Sequence, residues 1–174
     1  MRLRDFVPTE WCLRCDRCCR FNSAINPWIP VFSAKEVEEI INRGQDPVVF
    51  NKSEDEADGI DVRVKVRPYQ DYYVCPFFDV EKNCCRIYPF RPFDCRLYPF
   101  LLVKKEGNVY IGIDKDCPFV AHLYEDEQDW VVQKFADYLV DALLSVDGRD
   151  EVGSHPSMIA EYPGNVSLLR ELRF

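Results

Sequence analysis

The sequence predicts an α+β fold: one small domain in which a short antiparallel sheet and two main helices surround a cysteine-ligated metal core. Three observations predict it. Ile60, Val62, Val64 and Val66 alternate with Asp61, Arg63, Lys65 and Arg67, the period-2 pattern of a half-buried strand. Residues 101–103 and 109–113 are apolar and flank Lys104-Lys105-Glu106-Gly107-Asn108, a hairpin signal with Gly107-Asn108 at the turn. Apolar residues at helical spacing follow Ser33 and recur over 125–146. The chain of 174 residues is 47% hydrophobic and 30% charged, the size and composition of one folded unit and not of a disordered polymer.

In chain order, a first cysteine group (Cys12, Cys15, Cys18, Cys19) precedes an irregular stretch with Pro27 and Pro30. Ser33 is placed to cap a helix and Glu36 to close its capping box, with Val37, Ile40 and Ile41 on one face and Gly44 as the stop. Residues 51–59 are polar and acidic, a solvated loop before the 60–67 strand. Residues 69–100 hold many aromatics with Cys75, Cys84, Cys85 and Cys95, while Pro76, Pro89, Pro92 and Pro99 argue against a long regular element. After the hairpin and Cys117-Pro118 comes the longest predicted helix, 125–146, with Glu125, Asp126, Glu127 and Asp129 at the positive end of its dipole and Asp147-Gly148 as its end. His122 reads as a packing or capping residue. Residues 1–150 form the metal-binding domain. Residues 151–174 read as a loop-rich tail packed on it, with His155 exposed before Pro156.

Charge and hydropathy remove several function classes. With 22 Lys+Arg against 30 Asp+Glu, net −8, the protein gains little from counterion release, so nucleic acid is not an expected partner. No apolar run reaches the roughly 20 residues of a membrane span. The basic residues Arg2 and Arg4 are not followed by an apolar stretch, so the expected location is the cytoplasm, where disulfides are rare. Nine cysteines is also an odd number, which a complete set of disulfides would not use.

The cysteines therefore read as metal ligands. Cys12-x2-Cys15-x2-Cys18 lets three thiolates converge from one turning loop, like the opening ligands of ferredoxin-type clusters, whose remaining ligand is a distant Cys-Pro; Cys75-Pro76 and Cys117-Pro118 fit that description. The same Cys-x2-Cys spacing serves zinc ribbons. Adjacent side chains diverge, so Cys18 and Cys19 need not serve one centre. Cys75, Cys85, Cys95 and Cys117 must be gathered by folding, and the eight suffice for two four-thiolate sites or for one cluster with spare thiols. Cys84 is left over, a buried free thiol. A soft all-thiolate shell selects zinc or iron–sulfur and excludes calcium and magnesium. Such a site carries about −2, and Arg14, Arg17 and Arg20 beside the first cysteines and Arg86, Arg91 and Arg96 beside the later ones stand ready to answer it. Pairing of these arginines with surface carboxylates is the plainer alternative.

Four blocks in order carry a family resemblance: Cys12-x2-Cys15-x2-Cys18-Cys19; Cys75-Pro76-Phe77; Cys85-Arg86-Ile87-Tyr88-x2-Arg91-Pro92-x2-Cys95-Arg96-x-Tyr98-Pro99; and Cys117-Pro118. Over about residues 9–120 the chain resembles the CxxCxxCC, or YkgJ-like, cysteine-cluster family, described as chelating zinc or iron and related to the flagellin lysine N-methylases. The resemblance implies eight ligand cysteines and omits Cys84, and it supplies no reaction. The first reading is an iron–sulfur protein, with a [4Fe–4S] cluster, acting in electron transfer or as the cluster module of a larger enzyme system. A structural zinc protein is the second, and an S-adenosylmethionine-dependent protein methylase the third. A redox partner or a substrate protein is the expected partner, and Arg86, Arg91 and Arg96 the expected cofactor contacts.

Overall fold

Phe6 packs the amino-terminal segment onto the body of the protein: its ring lies 4.9 Å from Phe100, 4.9 Å from Phe135 and 5.4 Å from Phe119. A computed structural model describes residues 3–51, 61–164 and 166–174. One turn of helix, α1 (Thr9–Cys12), carries the first cysteine, and two short strands follow, β1 (Arg20–Phe21) and β2 (Val31–Ser33). Ser33 then caps α2 (Ala34–Asn42) as its spacing predicts. The Glu36 N–H donates to Ser33 Oγ (3.4 Å) and the Ser33 N–H to Glu36 Oε2 (3.0 Å), so two donors that a helix start leaves unpaired are satisfied reciprocally. Gly44, at φ +88°, ends the helix region in the left-handed conformation that costs glycine least.

The strand expected over 60–67 is divided between partners. Residues 51–59, the expected acidic loop, lie outside the described residues apart from Asn51, as does Ile60. Strand β3 (Asp61–Arg63) runs antiparallel to β2, Val64 bridges to Phe50, and β4 (Arg67–Tyr69) joins β5 (Tyr72–Val74) and β1 in a separate three-stranded sheet. Val64 is buried and Val62 and Val66 half-buried, as the alternation predicts, but Asp61 is buried too. Its carboxylate accepts the Ser157 N–H (2.8 Å) and O–H (2.9 Å). The hairpin does not pair with this segment at all; periodicity sets which side of a strand faces in, not which strand lies beside it.

A two-residue pair, β6 (Phe78–Asp79) with β7 (Cys84–Cys85), and the short helix α3 (Phe93–Leu97) lead to the hairpin β8 (Phe100–Lys105) and β9 (Asn108–Ile113). Its turn residues are Glu106 (φ 53°) and Gly107 (φ 86°), one position earlier than expected, a two-residue loop needing positive φ at both positions. The helix predicted over 125–146 is α5 (Asp129–Leu144), shorter at both ends, with α4 (Pro118–Glu125) before it and α6 (Val146–Gly153) after it. Glu127 at φ 57° separates the first two, and Ser145 leaves the helical path to accept the Gly148 N–H (3.1 Å) at the start of α6. Gly148, expected to end a helix, sits inside one because a Cβ there would stand 2.7 Å from Leu143 Cα. The tail is not a simple wrapping: β10 (Ala160–Glu161) lies parallel to β8 and β11 (Ser167–Leu172) antiparallel to β9, covering both edges of the hairpin in the order β10-β8-β9-β11.

The fold class is α+β as predicted, with the expected pair of helices joined by shorter ones. Two apolar cores result. The first joins Phe100, Leu102, Ile111 and Ile113 of the hairpin to Val120, Val132, Leu139 and Leu143 of the helices. The second gathers Phe32, Ile40, Phe50, Val64, Val74, Phe77 and Phe78. His155, expected at the surface, is 0% exposed. Its Nε2 lies 2.6 Å from Glu36 Oε2 and its Nδ1 2.8 Å from the Glu151 carbonyl, so it ties the carboxy-terminal segment to the start of α2. Among the described residues no helix is long and apolar enough to cross a membrane.

The His155–Glu36 pair sets a pH window. Burial acts to lower the His155 pKa, but the hydrogen bond and charge of Glu36 outweigh it and hold the value above the usual 6.5; burial acts to raise Glu36, but His155 holds it below the usual 4.5. The histidine contribution is therefore complete below pH 6.5 and lost as pH rises through the folded value; the glutamate contribution is complete above pH 4.5 and lost as pH falls through its own. Urea midpoints measured across pH are expected to decline on the alkaline side of this window, and His155→Ala should remove that decline while costing roughly 3–5 kcal/mol at pH 6. Gly148→Ala is expected to destabilise by about 1–3 kcal/mol through overpacking, read by the same denaturation curves.

Candidate metal centre

Each cysteine of the expected set is held by a different piece of local structure. Cys12 ends α1, and the Cys15 N–H donates back to the Cys12 carbonyl (3.3 Å), which turns the chain and returns the side chains to one side. A 3₁₀ turn (Arg17–Cys19) presents Cys18 and Cys19 with their sulfurs 4.0 Å apart. Cys75 follows β5, where its N–H donates to the Cys19 carbonyl (2.8 Å). Cys85 lies in β7 opposite Phe78, and Cys95 lies in α3. Cys117 caps α4, with Pro118 at the first helical position, where a missing N–H costs nothing.

These eight side chains line one cavity of about 60 Å³. One water needs roughly 10–15 Å³, so the space exceeds a packing defect. Its remaining wall includes Trp11, Phe32, Phe77, Ile87 and Phe119. All the cysteines are free thiols. Cys84 is outside the cavity, across β6-β7 from Asp79, and half-buried where a buried thiol was expected.

The sulfurs are poised between two states. Burial is the largest influence on Cys12, Cys15, Cys85 and Cys95 and raises each; it pushes Cys75 up to about 12 and Cys117 up to about 11. Of the adjacent pair, Cys18 is lowered, chiefly by a hydrogen bond from Cys19, and Cys19 is raised by the same bond and by burial. Backbone amides nonetheless aim at sulfur: Arg17 N–H at Cys15 (3.4 Å), Phe77 at Cys75, Ile87 at Cys85, and Phe119 and Val120 at Cys117. Such donors stabilise thiolates, and a cation supplies the rest, since a coordinating thiol gives up its proton. The donor set thus fits a soft metal.

The distances between donor atoms are these. Tetrahedral zinc with 2.3 Å bonds needs its sulfurs about 3.8 Å apart. Among the described residues no three thiol sulfurs lie within 4.8 Å of one another; the one set of three donor atoms that does is Glu36, Glu151 and His155, already engaged in the hydrogen bonds above.

The arginines divide. Arg91 lines the cavity, with its guanidinium 4.2 Å above the Tyr88 ring and Nη2 2.7 Å from Asp5 Oδ1. Burial opposes its charge, and Tyr88, Cys12 and Asp5 raise its pKa in spite of that. Arg86 and Arg96, expected beside it, are not among the lining residues: Arg86 donates to the Pro76 carbonyl, and Arg96 faces a surface groove near Glu36 and Asp150. Arg17 pairs with Asp116 and Arg20 with Asp16, the plainer alternative. On one side the cavity shares Cys18, Cys95 and Tyr98 with a cleft of about 450 Å³ that also holds Arg17, Asp94 and Asp114. Burial raises Asp94 to about 6 there.

The family model CxxCxxCC, described as "Putative zinc- or iron-chelating domain", matches residues 11–118. The chain belongs to the CxxCxxCC family. Comparisons with curated proteins and with solved structures find no match.

The CxxCxxCC domain also recruits two tyrosines that the cysteine count alone does not single out. Tyr88 and Tyr98 both line the cavity; Tyr88 acts to lower the Cys12 pKa, and the half-buried Tyr98 donates to Asp114 Oδ2 (3.0 Å), its own pKa raised chiefly by burial. A short repeat in the sequence marks them. Cys85-Arg86-Ile87-Tyr88-Pro89-Phe90 recurs as Cys95-Arg96-Leu97-Tyr98-Pro99-Phe100, placing a tyrosine three residues after each cysteine. Because the CxxCxxCC thiols are mostly held protonated, metal uptake in the cavity is expected to release protons and to weaken as pH falls. An indicator dye in weakly buffered, anaerobic protein checks this; metal uptake without acidification would place the metal away from the thiols.

Proposed function

We propose that this CxxCxxCC protein binds iron–sulfur, most simply as [4Fe–4S], through thiolates drawn from Cys12, Cys15, Cys18, Cys19, Cys75, Cys85, Cys95 and Cys117, and works in electron transfer or as the cluster module of a larger enzyme system. The observation that carries the reading is the convergence of eight free thiols on one cavity. A bound cluster supplies one-electron exchange. The chain's own residues set the conditions for it. The amides of Arg17, Phe77, Ile87, Phe119 and Val120 donate to sulfur, and Arg91 brings a cation beside Cys12. Both effects favour the more reduced, more negative state and raise the potential. Phe32, Phe77 and Phe119 exclude water, and the cleft at Cys18 and Cys95 is the side from which a redox partner or small acceptor reaches the site.

Structural zinc is the second reading, supported by the short strands around the cavity. Strands β1, β6 and β7 have two residues each, and metal cross-links would add folding free energy where the ladders are this short.

Anaerobic purification with iron, zinc and acid-labile sulfide analysis tests the proposal. Brown protein with iron and sulfide in similar amounts is expected, and colourless protein with stoichiometric zinc would replace it with the second reading. Cys12→Ser, Cys15→Ser and Cys18→Ser should each lose metal, whereas Cys84→Ser should retain the wild-type content; full retention in all three loop variants would remove the loop from the site.

A further inference from the structure

The eight thiols divide between the two apolar cores. Cys12 and Cys117 pack on the first core; Cys19, Cys75 and Cys85 pack on the second. Backbone hydrogen bonds draw the same line. The turn that returns Cys15 to Cys12 belongs to one side. On the other, Cys75 N–H donates to the Cys19 carbonyl (2.8 Å), Phe78 N–H to the Cys75 carbonyl (3.0 Å) and Arg86 N–H to the Phe77 carbonyl (2.9 Å), and the β6-β7 ladder then holds Cys85 opposite Phe78. Cys18 and Cys19 stand at the junction, their sulfurs 4.0 Å apart, and Cys95, on α3, completes the second set of four.

We infer that the cavity is a double site: one four-thiolate centre on Cys12, Cys15, Cys18 and Cys117, and a second on Cys19, Cys75, Cys85 and Cys95, joined at the adjacent residues Cys18 and Cys19. A cubane takes four thiolates, so one cluster would leave four of the cavity's thiols without ligand roles, while two clusters use all eight. Cys18 and Cys19 are consecutive, and their sulfurs, 4.0 Å apart, mark where the two centres meet. The spacing of the first loop assigns Cys18 to the Cys12–Cys15 side, and the backbone bond to Cys75 assigns Cys19 to the other. Two neighbouring one-electron centres give the protein a capacity of two electrons, so a partner that exchanges an electron pair is the class it fits.

This inference rests on the proposed ligand role of the eight thiols, and the experiment separates the two. Full-length protein is reconstituted anaerobically with iron and sulfide, and metal per chain is measured beside electron paramagnetic resonance of the reduced sample. Wild type is expected to hold about twice the iron of Cys15→Ser or of Cys75→Ser. Cys12→Ser/Cys15→Ser should retain the same half as Cys15→Ser, and Cys15→Ser/Cys75→Ser should retain none. Reduced wild type should show magnetic interaction between two centres, and Cys15→Ser or Cys75→Ser an isolated signal, a readout that a partly misfolded fraction does not mimic. Loss of all iron in either single variant whose circular dichroism matches wild type, or an uncoupled wild-type signal, overturns the division. Wild type that takes up zinc and no iron removes the iron–sulfur reading; the half-and-half pattern in zinc then still supports the division, and all-or-none zinc loss overturns it. Wild type that takes up neither metal removes both.

Discussion

Eight sulfurs enclosed together by apolar walls are the constraint around which this protein is organised. As thiols they are small, weakly polar groups that a core accommodates. As thiolates they repel one another with little water to screen them, and burial above all pushes Cys75 up to about 12. Amide donors and Arg91 offset part of that repulsion, and a metal cation offsets the remainder by taking the place of the protons. The thiols are thus stable without charge, and a bound cation would turn them into a charged site.

The two cores make this arrangement possible. The hairpin and helices α4 to α6 supply one wall, and β2, α2 and the small strands supply the other. Between them the chain consists of turns, where a cysteine is positioned by one or two backbone hydrogen bonds and not by a long ladder. The carboxy-terminal segment holds the halves together from behind: His155 binds Glu36 at the start of α2, Ser157 binds Asp61, and Arg63 returns Nη1 and Nη2 to the carbonyls of Ile29 and Ser157. These buried polar contacts explain why residues 151–174 are part of the fold and not an appendage.

Local chemistry was legible wherever both partners lie within a few residues. Ser33 and Glu36 satisfy each other across one helical turn, so their spacing is sufficient. The hairpin was legible but its turn was placed one residue late, because Asn108 is as natural a turn residue as Gly107 and only pairing of Lys105 with Asn108 decides. The helix break at Glu127 was not legible, since glutamate has no preference for φ 57° and the surrounding packing imposes it. His155 was misread because the carboxylate that holds it is 119 residues away. The arginines followed the same logic: Arg17 and Arg20 found aspartates within reach, while Arg91 reached the cavity through the path of the chain around Pro92 and α3.

The sequence by itself determined the donor chemistry on offer. Thiolate-rich spacing, Cys-Pro steps and the exclusion of Cys84 follow from residue type and order, which do not depend on how the chain travels between them. Only the tertiary structure decided that Cys75, Cys85, Cys95 and Cys117 meet the first loop in one cavity, that Arg91 and the two tyrosines accompany them, and that two cores flank them. The reason is the range of the forces involved. Hydrogen bonds and turns act over a few residues and leave a mark in the local pattern, whereas apolar burial chooses among many distant partners and is settled only when the whole chain has packed.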